Sequence, residues 1–128
     1  MKRPIAEIAG IGAAAPARVI TNADLEQVLD TNDQWIVDRT GIRERRKLGP
    51  DEALSDLFVR AARDAMAKAG VAFEEIDTIV CGTCTPDRRL PSTACDVQGK
   101  LGGGPAAAFD VVAACPGWLY SLTVAEGL

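Results

Sequence analysis

Apolar residues recur along the chain with two different periods, and the places where the period changes mark the elements. From Asp51 to Ala69 the positions Leu54, Leu57, Phe58, Ala61, Ala62, Ala65, Met66 and Ala69 repeat at helical spacing, and Gly70 stands where a C-terminal cap belongs. A capping-box pattern at Thr21-Asn22-Ala23-Asp24 predicts a short helix to about Asp30, with Leu25, Val28 and Leu29 on its apolar side. A second short helix, Asp33 to Arg39, puts Trp35 and Arg39 four apart on one face and stops at Gly41. Ser92 to Leu101 reads as a further helix, ended by Gly102-Gly103-Gly104.

Three runs read as strands. Pro4 to Gly12 is rich in Ile and Ala and closes on a tight Gly10-Ile11-Gly12 turn; Ile76 to Cys81 is β-branched and bounded by Gly82; Ala106 to Ala114 is apolar but for Asp110. Unbroken apolarity implies a strand covered on both faces, and the alternation of strands with helices is that of an α/β fold. After Cys115, Pro116 suits a first helical position. Trp118, Leu119, Leu122 and Val124 to Leu128 continue an apolar helix that no cap closes. No repeat, linker or low-complexity tract divides the sequence, so a single domain is expected, with its natural boundary beyond Leu128.

Composition narrows the classes. With 48% hydrophobic and 25% charged residues in 128, the chain has the make-up of a globular domain, and a net charge of -4 argues against nucleic acid or anionic membranes as partners. No apolar run is long enough to span a bilayer and no signal-type core follows Met1-Lys2-Arg3-Pro4, so a cytoplasmic protein is expected. Four cysteines in such a chain point to reduced thiols rather than a disulfide framework. There is no histidine, which removes the commonest general base and the commonest metal ligand, and no metal site is expected.

Four features compete for chemistry. Gly10-Ile11-Gly12-Ala13-Ala14-Ala15 spells a dinucleotide fingerprint, with Asp30 at a ribose-contact distance downstream, but Pro16 and the run to Thr21 keep it nonhelical; pyrophosphate needs a helix N-terminus there. It reads as a strand entering a loop. Cys81-Gly82-Thr83-Cys84 has redox or zinc spacing, yet Cys95 and Cys115 do not complete a ligand set, and the motif ends a strand instead of opening a helix. Buried or half-buried structural thiols are the expectation for Cys81, Cys84 and Cys95. Arg39, Arg43, Arg45, Arg46 and Lys47 make a basic cluster that reads as a solvated charged loop paired with Asp38 and Glu44, or alternatively as a phosphate grip beside the Trp35 indole. Cys115 stands at a strand-to-helix junction, where the helix macrodipole and backbone N–H groups favour thiolate, and Gly117 permits close approach of a backbone or a thioester. It is either a reactive thiol or a small buried apolar residue.

The run Thr31-Asn32-Asp33-Gln34-Trp35-Ile36-Val37-Asp38-Arg39-Thr40-Gly41-Ile42-Arg43-Glu44-Arg45-Arg46 closely resembles the coenzyme A-binding segment of the β-ketoacyl-[acyl-carrier-protein] synthase III family. Thr85-Pro86-Asp87, Leu90-Pro91-Ser92 and Ala108 to Trp118 resemble later landmarks of that family in the same order, so the likeness runs from about Ile8 to the end. The resemblance implies a thiolase-like fold of two similar βαβαβ-type halves, with residues 1–128 as the N-terminal half bearing a mostly parallel sheet and the C-terminal half absent. It implies a dimeric acyltransferase that initiates fatty acid synthesis. There Cys115 takes an acyl group from acyl-CoA, and the acyl-enzyme is attacked by the carbanion that malonyl-acyl-carrier-protein yields on losing carbon dioxide. By the same likeness Trp35 stacks on the adenine of coenzyme A, Arg39 and Thr40 hydrogen-bond it, and Leu90 reaches across the dimer to bound the partner's acyl pocket. Coenzyme A enters as the substrate thioester, with no separate cofactor. The family's catalytic His and Asn belong to the second half and have no counterpart here, so this chain is expected to supply acylation without condensation.

Three readings follow: a condensing enzyme of fatty acid or polyketide priming; a non-catalytic remnant or binding module that keeps the coenzyme A-facing helix; and a redox or metal protein built on the Cys81 pair.

Overall fold

Residues 6–128 are described by the computed structural model; residues 1–5, which hold the start of the expected first strand at Pro4, lie outside the described residues. The chain divides into two compact units, one of Ala15–Glu52 and one that joins the residues up to Ala14 to Ala53–Leu128.

In the Ala15–Glu52 unit, strand β1 (Arg18–Thr21) leads directly into helix α1 (Asn22–Glu26), and helix α2 (Asp33–Thr40) is followed by strand β2 (Glu44–Lys47). The two strands pair antiparallel, from Arg18 opposite Lys47 to Thr21 opposite Glu44. Thr21 caps α1 through its side chain, and Asp24 returns the bond to the Thr21 N–H, completing the capping box. The bond from that backbone N–H, with one from the Thr21 hydroxyl, holds the Asp24 carboxyl below the usual carboxylate range. α1 stops at Glu26, four residues short of the expected end at Asp30, and the Val28 and Leu29 N–H groups both bond the Leu25 carbonyl in the turn that follows. The unit is organised on a polar hub. Asn22, 1% exposed, donates to Asp33 Oδ1 at 2.7 Å and to the Ile42 carbonyl at 2.8 Å, and its own oxygen accepts from Arg45 at 2.7 Å. α1, α2 and β2 are thereby tied to one side chain whose bonding capacity is used on both ends.

The other unit is built on the parallel pair β3 (Thr78–Gly82) and β4 (Ala107–Val111), in register from Thr78 opposite Ala107 to Gly82 opposite Val111. Helix α3 (Leu54–Ala69) precedes β3, a short 3₁₀ turn at Phe73–Glu75 intervenes, helix α4 (Thr93–Leu101) joins the two strands, and helix α5 (Gly117–Gly127) follows β4. The β3–α4–β4 unit is the βαβ crossover that parallel pairing requires. Val59 from α3, Cys81 from β3, and Ala94 and Val97 from α4 form its buried core, with Phe58, Ile79, Leu101 and Ala108 packed around them. α4 is capped twice: Ser92 accepts from Cys95 N–H, and Asp110, the one polar residue of the third apolar run, accepts from Thr93 and Ala94 N–H at 2.8 Å each.

The α/β class holds, with one parallel and one antiparallel pair among the described residues. The expected first strand does not form over Ala6–Gly12. That segment runs along α3 instead: Lys68 Nζ donates to the Ile11 carbonyl at 3.1 Å and Ala13 N–H to Asp64. Gly12 is required by this approach, since a Cβ there would overlap the Ala61 carbonyl. β1 and β2, by contrast, arise where sequence reading placed a loop. Their residues Arg18, Glu44, Arg46 and Lys47 are exposed, so no apolar alternation announces them. No helix among the described residues is long and apolar enough to cross a membrane.

Candidate active site

Cys115 sits between the end of β4 at Val111 and the first residue of α5 at Gly117. The elbow is made by Ala114, whose φ of 47° lies in the left-handed region. For a residue with a Cβ this conformation costs on the order of 1–2 kcal/mol, so neighbouring bonds must hold it. They do: the Gly117 N–H closes a tight turn on the Ala114 carbonyl at 3.0 Å, and the Ala114 N–H donates to Cys84 Sγ at 3.1 Å. Pro116 occupies the N-cap of α5 rather than its first helical position, which leaves Cys115 two residues before the first helical residue. Next to the turn, β3 and α5 approach each other closely at Gly82 and Gly117. A Cβ on Gly82 would come within 3.0 Å of the Gly117 carbonyl oxygen and 2.9 Å of Ser121 Oγ. Ser121, buried here, returns its hydroxyl to the Gly117 carbonyl at 2.8 Å.

The four thiols are free and differently placed. Cys115 and Cys84 are exposed, Cys95 is half-buried and Cys81 is buried. Burial, and secondarily the Asp110 charge, pushes the Cys81 thiol up to about 12, which keeps it protonated and unreactive at neutral pH. Cys84 departs from the expected buried or half-buried setting because it lies past the end of β3, in a loop turned toward Ala114. No group of three or more Cys, Asp or Glu is arranged to hold a metal ion among the described residues.

Leu90, in the same unit, is 85% exposed and precedes a cis peptide bond to Pro91. Its segment is fastened at both ends. Asp87 accepts from Leu54 N–H at 2.6 Å and from both the amide and hydroxyl of Ser55, while Ser92 caps α4. Arg88 adds a two-nitrogen grip on Asp96.

The remaining predicted residues lie on α2 of the Ala15–Glu52 unit. Asn32 caps α2 by accepting the Trp35 N–H at 2.8 Å, and Gly41 ends it in the left-handed region. The helical spacing brings the Arg39 guanidinium over the Trp35 ring, 4.3 Å from its centroid. Trp35 stays 50% exposed and forms one wall of a cleft of about 590 Å³, with Leu25, Leu29 and Ile36 as its apolar lining and Asp30, Thr31 and Asn32 as its polar edge. Thr31 Oγ1 is buried there without a hydrogen-bond partner. Thr40 is committed to the helix end: its hydroxyl donates to the Ile36 carbonyl at 2.7 Å and accepts from Ile42 N–H. Of the basic cluster, Arg39 lies on α2, Arg43 in the loop that follows, and Arg45, Arg46 and Lys47 in strand β2. Arg45 bonds the Ile20 carbonyl and Asn22, Arg46 pairs with Glu44 at 3.5 Å, and Asp38 takes Gln34.

The structure thus brings Trp35 together with Arg39, and Cys115 together with Cys84 through Ala114. The roles of Asp87, Asp110 and Cys84 escaped sequence reading, because each joins segments 16 or more residues apart and no local pattern encodes the partner.

No family model matches the chain. It is 57% identical over 124 residues to the β-ketoacyl-[acyl-carrier-protein] synthase III of Symbiobacterium thermophilum and 54% identical over 123 residues to that of Roseiflexus castenholzii, matching 97% and 96% of its own length. It spans 37% of the length of each of these relatives. Among solved structures, 3-oxoacyl-[acyl-carrier-protein] synthase III from Aquifex aeolicus superposes with a TM-score of 0.89 at 44% identity, over 94% of this chain and 39% of that one. The priming β-ketosynthase of the R1128 polyketide pathway superposes at 0.87 with 36% identity, over 93% and 36%. In sequence and in its thiolase fold, the chain belongs to the β-ketoacyl-[acyl-carrier-protein] synthase III family over the part of the family's length that it spans.

Proposed function

We propose that Cys115 is the acyl-carrying nucleophile of a β-ketoacyl-[acyl-carrier-protein] synthase III-type acyltransferase, and that residues 1–128 are the N-terminal part of such an enzyme. The observation that carries this reading is the elbow: an exposed cysteine directly after a left-handed residue and directly before the N-cap of a helix. In the acylation step the Cys115 thiolate attacks the thioester carbonyl of acyl-CoA. A new carbon–sulfur bond forms as the old one breaks, and coenzyme A leaves as its thiolate, which takes up the proton released by Cys115.

Trp35, Arg39 and Thr40 are the coenzyme A-binding residues of this reading. Leu90 bounds the acyl pocket of a second copy in a homodimer. The acceptor is malonyl-acyl-carrier-protein, whose decarboxylation falls to groups outside these 128 residues, and the setting is cytoplasmic fatty acid synthesis with no cofactor beyond the substrate's coenzyme A. Polyketide priming is the second reading, favoured by the likeness to the R1128 priming ketosynthase.

Iodoacetamide labelling with peptide mapping tests the assignment. Selective modification of Cys115, suppressed by prior incubation with acetyl-CoA and accompanied by a mass gain of one acetyl group on its peptide, is the expected result. Equal, slow labelling of Cys84, Cys95 and Cys115 with no effect of acetyl-CoA would sink it.

A further inference from the structure

The Ala114 N–H that fixes the elbow has one acceptor, the Cys84 sulfur at 3.1 Å, and the sulfur's own place is set by the sheet. Beyond the last ladder pair, Gly82 opposite Val111, the Thr83 N–H continues to the Val111 carbonyl at 3.1 Å. The Thr85 N–H then turns back onto Thr83 Oγ1 at 3.1 Å. Cys84 is therefore held between two anchored neighbours, with its side chain against the backbone one residue before the nucleophile. The Ala114 carbonyl is fixed separately by Gly117 N–H. Both backbone polar groups of Ala114 are thus occupied, the N–H from beyond the end of β3 and the carbonyl from the first residue of α5.

We propose that Cys84 is a positioning residue for Cys115: its sulfur, by accepting the Ala114 N–H, keeps Ala114 in the left-handed conformation that presents the Cys115 thiol at the start of α5. Cys84 acts through Ala114 and needs no contact with substrate. The role deepens the reading of Cys115 as nucleophile and rests on it for its importance to acyl transfer, but its geometry stands independently. Sulfur is a weak acceptor, so the effect is that of one modest hydrogen bond, about three- to tenfold in rate.

The test compares Cys84→Val, Cys84→Ala and Cys84→Ser in the 128-residue chain by two readouts: the initial rate of Cys115 alkylation by iodoacetamide, resolved by peptide mapping, and amide hydrogen exchange at Ala114 by NMR. Val and Ala remove the acceptor, and Val keeps the bulk. Both are expected to speed exchange at Ala114 and to slow Cys115 alkylation about three- to tenfold, while Ser, a better acceptor, restores both. Wild-type rates in Cys84→Val and Cys84→Ala, or a Ser variant as slow as Ala, would overturn the proposal. Acetyl-CoA protection of Cys115 in the unsubstituted chain is scored separately. Its absence beside an intact Cys84 effect refutes the acyl-carrier reading and leaves the positioning role standing.

Discussion

Cys81 and Cys115 share a side chain and a unit but not a chemistry. Cys81 is 7% exposed in the core and its thiol is raised to about 12, so it offers no thiolate at neutral pH, whereas Cys115 is open to solvent at a turn. Trp35 shows the same dependence on setting. With Arg39 over its ring, the half-exposed indole lines the cleft as a platform for a flat aromatic group. Trp35→Ala is expected to weaken coenzyme A protection of Cys115 about tenfold or more in the concentration required, the scale of one lost stacking contact. The iodoacetamide rate of Cys115 measured without coenzyme A should stay unchanged. A fall in that intrinsic rate would assign Trp35 to structure instead. The Trp35–Arg39 contact was legible in the sequence because both residues lie on one helix at a spacing of four. The Cys84–Ala114 contact was not, since a pairing across 30 residues leaves no periodic trace.

At the scale of elements, helices were legible and strands only partly so. α3 follows its apolar repeat and ends at Gly70 as expected, and the caps at Thr21 and Ser92 fall where their side chains place them. β1 and β2 have no apolar pattern to read. They exist because Arg45 and Asn22 tie them to the rest of their unit, a case of tertiary contacts overriding propensity. The N-terminus of α3 carries a similar lesson. Ala53, at its N-cap, has no side chain to cap with, and the first two helical N–H groups are taken by Asp87 from 33 residues away. Burial pulls the Asp87 carboxyl upward, but the bonds from the Ser55 hydroxyl and from the Ser55 and Leu54 amides more than offset this and leave it below the usual carboxylate range. Because the folded value is depressed, the stability Asp87 contributes is fully present above its unfolded pKa of about 4 and is lost as pH falls through the folded value. Asp87→Ala is expected to cost about 1 kcal/mol at pH 7, as the loss of a helix cap does. The gap between the thermal melts of the two proteins should close as pH drops below about 4. A gap that does not narrow at all as pH falls below about 4 would show that the cost lies in packing rather than in the ionised cap.

At the scale of the whole molecule, α5 poses the largest unbalanced term. Trp118, Leu119, Tyr120, Leu122 and Val124 are all exposed on a helix whose apolar residues surround it, and Trp118 is 64% open. A helix apolar on every side belongs in an interior, and each large side chain left in water forgoes roughly 1.5–3 kcal/mol of burial. Such a contiguous patch marks an interface. The chain also spans 37% of the length of its Symbiobacterium relative, and polypeptide equivalent to the remainder is the cover to test for α5. The 128-residue chain alone is therefore expected to bind an apolar dye such as anilinonaphthalene sulfonate and to self-associate as its concentration rises. Co-expression with the rest of the Symbiobacterium sequence should suppress dye binding and yield a defined complex on size exclusion. Replacing Trp118 by Glu should reduce both the dye signal of the lone chain and its capture by the co-expressed portion. If the lone chain binds no dye and sediments as a monomer at all concentrations, the exposed face of α5 is self-sufficient, and its apolar surface is satisfied within these 128 residues.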